Sequence, residues 1–366
     1  MCVPCLSRPQ FAKNNSDTAH FAELRKRVHE RLLALPANRH RMVTAKAILL
    51  PLLYLGLYLL SLQSTSYELF CLAYVCLGIM LVVLFLNLIH EACHDNLFRS
   101  KKANRVYMLL FDAIGANSYM WKKRHIRLHH HFTNVQNWDS DIEKSKFLKV
   151  HPHDHDKLLP RYQHLLIFLY PFFITNWFLV RDFKDFFDSR MIVRRLGAVP
   201  LVEYGKLFFF KAFFTGYLVG VPLWFTPFTV GQLLIAFLVL LVSAGFFALV
   251  VLLPPHVNTT NQFPEAGNDG QLHESWFRHQ FLTTNDVQCN NWFSRHVMGN
   301  FNYHLAHHLF PNFSYVYAPE VTAVIRDYAL QQGLPYRSYP LWYTFRAHYR
   351  LIRQNGQALD ILNEDM

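Results

Sequence analysis

Three stretches of this 366-residue chain concentrate imidazole side chains. The first is His90-Glu91-Ala92-Cys93-His94-Asp95 and the second His125-Ile126-Arg127-Leu128-His129-His130-His131-Phe132-Thr133-Asn134. The third is Asn302-Tyr303-His304-Leu305-Ala306-His307-His308-Leu309-Phe310-Pro311. Within each, histidines recur three or four residues apart, a spacing that stacks them on one face of a helix. Imidazole nitrogen suits zinc, copper, nickel or iron. One such box is a short motif with a real false-positive risk; three beside apolar segments point to metal binding. A zinc hydrolase needs about three protein ligands and an open position. The eight histidines His90, His94, His125, His129, His130, His304, His307 and His308 suit a pair of metal ions instead. Iron is the natural redox candidate, since it activates dioxygen for attack on an inert C–H bond.

Converging helices must present these ligands, and long apolar runs supply them. Hydrophobic residues make up 52% of the chain and charged ones 17%, which favours a membrane protein. Four spans are expected at 45–62, 69–89, 207–225 and 231–253. The stretch 165–180 is too short to cross and carries Pro171, so it is expected to be interfacial or re-entrant. A crossing there would also separate the second and third boxes onto opposite membrane faces. Residues 21–33 predict a basic amphipathic helix on the bilayer surface. Residues 292–309 predict a helix carrying the third box, and 319–332 a helix stopped by Gly333. The net charge of +11 gathers at the ends of the apolar runs, which fits lipid headgroups better than a polynucleotide. The turns at 63–68 and 226–230 lack Lys and Arg, so the positive-inside rule puts both termini and all three boxes on the cytoplasmic side. Six scattered cysteines form no disulfide framework, and the lone Cys2-x-x-Cys5 pair completes no zinc site. No cleaved signal peptide is evident.

The box spacings, with Thr133-Asn134 after the second box and Leu309-Phe310-Pro311 after the third, resemble the membrane fatty acid desaturases. The segments Ser118-Tyr119-Met120-Trp121-Lys122, Arg161-Tyr162-Gln163-His164-Leu165 and His279-Gln280-Phe281-Leu282-Thr283-Thr284 are similar to the linoleoyl-CoA (front-end) branch. The resemblance runs from about residue 45 to 340. It implies an all-α integral membrane protein with four transmembrane helices in two hairpins, interfacial helices and a cytosolic cap holding a di-iron centre. It implies oxygen-dependent insertion of a double bond into an acyl chain carried on coenzyme A or a lipid. It also implies a ninth histidine ligand, for which His279 is favoured over His256 and then His273. Two features depart from the pattern. His304 stands where many front-end enzymes have Gln, and the His-Pro-Gly-Gly of a fused haem domain is missing. A separate ferredoxin or small haem protein is therefore the expected electron donor.

The corresponding domains are an N-terminal arm at 1–43, a desaturase domain at 44–340 and a tail at 341–366. Asp95, Glu91 and Asn134 are candidates to orient ligand histidines, against the plainer reading of solvated polar residues. His131 is expected beside the site or solvated, and Asp139 and Asp141 to be a loop charge pair. Trp121 and Trp138 suit either a tunnel wall or an interfacial anchor. His151, His153 and His155 with Asp154 and Asp156 read as a solvated loop. A hydroxylase or acetylenase on the same scaffold is the nearest alternative, and a non-catalytic metal-binding membrane protein the alternative of another class.

Overall fold

A computed structural model describes residues 8–141, 148–152, 160–267 and 269–357. The Cys2-x-x-Cys5 pair and His153 to Asp156 lie outside them. Four helices are long and apolar enough to cross a membrane: His40–Ser61, Tyr67–Cys93, Leu201–Phe225 and Val230–Leu252. Each overlaps an expected span, but the first and third begin five or six residues earlier than hydropathy suggests and the second runs on through the first histidine box. Capping explains some of the boundaries. Ser66 caps the second span, while Thr229 and Gln232 form a reciprocal capping box at the start of the fourth.

The second and fourth spans cross closely at Gly78, where a Cβ would lie 2.2 Å from the Leu240 carbonyl oxygen. The first span packs on the second. The third carries a π-helical turn at Gly216–Gly220. Its loosened carbonyls are not left bare, because Tyr58 and Tyr74 donate their hydroxyls to Tyr217 O and Leu218 O, each at 2.6 Å. The opposite faces of the spans leave large apolar side chains exposed, among them Leu52, Leu60, Leu72, Phe209 and Ile235. A helix in water cannot afford that much apolar surface, whereas lipid accepts it.

The stretch expected at 165–180 is a bent run, 3₁₀ over Pro160–Phe172, then α, π and α again to Phe187, with a 70° break. Buried ion pairs pin its far end. Asp185 meets Arg124 at 2.7 Å with both side chains fully buried, and Asp182 meets Lys211 at 2.6 Å. The N-terminal helix extends over Asn15–Leu33 rather than 21–33. Its Leu24 and Val28 are buried against Phe277, Phe281, Leu305 and Ile325, so its apolar stripe faces protein rather than a bilayer. Two parallel ladders of two residues each, Gln10–Phe11 with Gln271–Leu272 and Asp286–Val287 with Ser338–Tyr339, tie distant loops together. Nothing in the apolar pattern announces them.

Candidate metal centre

The first box rides on the end of the second span, but not on a regular helix. Phe85–Ile89 forms a π turn, and the His90 N–H reaches back to the Phe85 carbonyl. Asn87 sits in this turn. It accepts from Lys46 Nζ at 2.7 Å and donates to Val83 O and Val297 O at 3.0 and 2.9 Å. One buried amide therefore ties the first span, the second span and the segment leading to the third box.

The second box repeats the device. The helix Ser118–Arg124, capped by Asn117, widens into a π turn over His125–His129. The ring closes from His130 N–H to His125 O at 3.0 Å. His125 and His130, five residues apart, consequently share a face, with their Nε2 atoms 3.0 Å apart. The third box lies on a short helix, His304–Leu309, not on one helix from 292. Trp292–His296 is a separate helix, and between them Gly299 and Asn300 turn the chain with φ of 57° and 53°.

These elements bring nine histidines into two groups: His90, His94, His125, His130 and His307, and His129, His256, His304 and His308. Where the groups meet, His125 and His129 also approach Asp141. Nε2 atoms face one another at 3.1 Å for His90–His125, His94–His125 and His256–His308. Two nitrogens bound at right angles to an ion ~2.1 Å from each would lie roughly 3.0 Å apart. The donor set and its spacing therefore fit first-row metal ions.

Burial also keeps most of these rings neutral, the form that offers a lone pair. It pushes His94 and His256 down to about 3. Burial, reinforced by neighbouring imidazoles, holds His125, His130, His304, His307 and His308 well below the usual histidine range. His129 differs. Burial pulls it down, but Asp139, with both carboxylate oxygens 3.1 Å from its Nδ1, overrides this and raises it to about 9.

An apolar cavity of about 250 Å³ opens onto this centre. His90, His125, His129, His256 and His304 line one end, and Leu81, Ile174, Phe178, Phe214, Leu241 and Ala244 line the rest. From Leu253 to Leu241 the cavity follows the fourth span for about 18 Å, at 1.5 Å per helical residue. Trp121 belongs to its wall and stacks on His125 at 4.7 Å, whereas Trp138 packs against Phe132 away from it.

A family model described as fatty acid desaturase matches residues 65–340. This chain belongs to the fatty acid desaturase family. It is 28% identical over 289 residues to the sn-1 linoleoyl-lipid 6-desaturase of Synechocystis sp., covering 77% of this chain and 79% of that one. To the enzyme of the same name from Arthrospira platensis it is 27% identical, covering 72% and 71%. To the acyl-lipid (8-3)-desaturase of Physcomitrium patens it is 26% identical, covering 73% of this chain and 56% of that one.

The desaturase departs from the sequence reading at several site positions. The ninth histidine in the groups is His256, not His279. His256 follows the fourth span through the Pro254-Pro255 turn, and its Nδ1 faces the Thr283 carbonyl at 3.3 Å. His279 is buried with its ring 5.1 Å from that of Phe11. Adjacent helical residues point about 100° apart, so when Gln280 and Thr283 face the histidines His279 cannot. Gln280 is a functional candidate that sequence reasoning missed: its Oε1 faces His308 Nδ1 at 3.0 Å, with Thr133 Oγ1 at 3.2 Å. The quoted motif contained it, but the imidazole beside it drew the assignment. Asp139 is likewise more than a loop charge. Asn134 and Asp141 donate their backbone N–H groups to it at 2.8 and 2.9 Å, which fixes it against His129. Asp141 itself lies 3.5 Å from His125 Nδ1.

Asp95 and Asn134 do not orient an imidazole. Asp95 is exposed at φ 61°, and the Asn134 amide instead donates to the His256 carbonyl at 3.0 Å. Glu91 accepts from the Tyr315 N–H at 3.2 Å. His131 lies outside both groups, half-buried against Phe11 and Phe132, and His273 is absent from them too.

Proposed function

We propose that this desaturase is a dioxygen-dependent acyl-lipid desaturase whose two histidine groups each hold one iron ion. The carrying observation is the dry cavity whose only polar end is the histidine centre. An acyl chain laid along it would meet the metals part-way down its length, where a saturated carbon offers no other handle for chemistry. The iron pair would supply the oxidising power to remove two hydrogens from adjacent carbons.

The chain's own residues do the positioning. Phe178, Phe214, Ile174 and Leu241 surround the methylenes and exclude water. Asp139, Gln280 and the Thr283 carbonyl hold the Nδ1 sides of His129, His308 and His256, and so keep each Nε2 toward the centre. In this reading residues 44–340 are the desaturase domain, with a 1–43 arm and a 341–366 tail. The spans form two hairpins beneath a cap, and the cap and both termini face the cytoplasm, in line with the uncharged turns at 63–68 and 226–230. With no haem-domain signature in the sequence, a separate ferredoxin or small haem protein delivers the electrons.

The relatives' names make a linoleoyl lipid the first substrate to supply. Cells expressing the chain with a compatible electron donor are compared with cells expressing His307→Ala by gas chromatography and mass spectrometry. A new unsaturated acid, two hydrogens lighter, in the intact strain alone is expected. A new hydroxylated acid would move the assignment to a hydroxylase, and lipids unaltered despite full metal loading would sink it.

A further inference from the structure

Desaturation joins reactants of very different character. Per double bond, two C–H bonds break and one O–O bond is cleaved. Dioxygen takes up the two hydrogens together with two electrons and two protons, and leaves as two waters. The electrons come from a one-electron iron–sulfur or haem protein. Once an acyl chain fills the large cavity, dioxygen and water need another way to the centre.

The structure contains a second space there. A niche of about 30 Å³ touches His90 and His307, and is bounded by Glu91, Asn300, Ser314 and Tyr315. The large cavity also touches His90 but not His307, so the two spaces meet the centre from different sides. The niche extends to Tyr303, Phe313 and Ala318, all of them half-buried. Roughly 10–15 Å³ accommodates one water, so this space admits one or two, or one dioxygen, but no acyl chain.

Its lining is also unlike that of the large cavity. Glu91 is 3% exposed, and its Oε2 has no hydrogen-bond partner among the described residues. The Asn300 Oδ1, Ser314 Oγ and Tyr315 hydroxyl are buried and unbonded as well. Unpaired polar atoms at such depth are costly and ordinarily mark ordered water.

We propose that this niche is the small-molecule passage of the enzyme, holding ordered water between Glu91 and Ser314 and carrying dioxygen inward and product water outward while the acyl chain occupies the large cavity. The proposal rests on the desaturase reading given above.

Two measurements test it. The first is an experimental structure of the full chain with an acyl lipid bound. Ordered water within hydrogen-bonding distance of Glu91 Oε2 and Ser314 Oγ is expected, and a dry niche overturns the proposal. The second is steady-state kinetics of Ala318→Phe, which narrows the outer end of the niche without touching a histidine. Its KM for dioxygen should rise several-fold while the KM for acyl lipid and the iron content stay at wild-type values. An unchanged oxygen KM refutes the passage, as does an equal rise in both constants. If the variant loses iron, Ala318→Leu replaces it under the same criteria. Failure of the parent enzyme to desaturate any lipid would defeat the underlying reading instead, which separates the two failures.

Discussion

Removing His256 and removing His279 should have opposite consequences for the metal centre. His256 is one of four nitrogen donors in its group, with Nε2 3.1 Å from that of His308. Losing a residue that merely orients a ligand typically weakens metal binding by about 10–100-fold. Losing a ligand outright should cost at least the upper figure, about 2.8 kcal/mol at 1.4 kcal/mol per decade. The five-histidine group would be intact. His256→Ala, dialysed against buffered low free Fe(II), should therefore retain about half the iron of the parent protein. His279→Ala removes a buried ring packed on Phe11. It should lower stability by about 1–3 kcal/mol while keeping the full iron complement. Iron per chain is read by plasma mass spectrometry after gel filtration, with thermal unfolding in detergent as the companion assay. Full iron in His256→Ala together with a deficit in His279→Ala would refute the geometric assignment.

Other outcomes are expected on similar grounds. Asp139→Asn removes one of the two carboxylate oxygens that face His129 and should weaken metal retention against a competing chelator by about 10–100-fold; unchanged retention would count against an orienting role. Asp286 is buried, and burial raises its carboxyl to about 7, although Leu305 N–H and Tyr336 O–H both donate to it. The unfolded group titrates near ~3.9, so the folded chain binds the extra proton and stability falls as pH rises from about 4 to 7. Asp286→Asn should thus gain in Tm over the parent between pH 5 and pH 8, and a gap independent of pH would contradict this. Asp185→Ala strands the fully buried Arg124 and should cost about 3–5 kcal/mol. Arg190→Ala, at an exposed pair, should cost well under about 1 kcal/mol in the same unfolding assay.

The four spans and the eight box histidines were legible because both depend on periodicities the chain displays openly: long apolar runs, and imidazoles three or four residues apart. The partition of those histidines between two groups was not. Helical spacing pairs His125 with His129, but the π turn pairs His125 with His130, and no local signal in Ile126-Arg127-Leu128 marks a turn with one residue extra. Gln280 escaped notice for a related reason. Which of two adjacent residues faces a site depends on the phase of a short helix, and the Ser275 cap and the strand at Gln271–Leu272 set that phase through tertiary contacts. Asp139 looked like any loop carboxylate because its partner is ten residues away across an irregular turn. Gly299 and Asn300 broke an apparently continuous helix from 292 to 309, since the chain must reverse before presenting His304.

The π turn at His125–His129 also bears on how ligand positions are transferred between distant relatives. A widened turn is a one-residue insertion lodged inside a helix, with no gap visible where it occurs. Deleting a single residue between His125 and His129 would keep the helix and keep both imidazoles, yet rotate everything beyond by about 100°. His130 would leave its group and His129 would swing toward it. An alignment that places its gap one position away therefore assigns the same histidine to the other metal. At 22–28% identity among the relatives compared, gap placement rather than residue identity decides which of two neighbouring imidazoles answers to which ion.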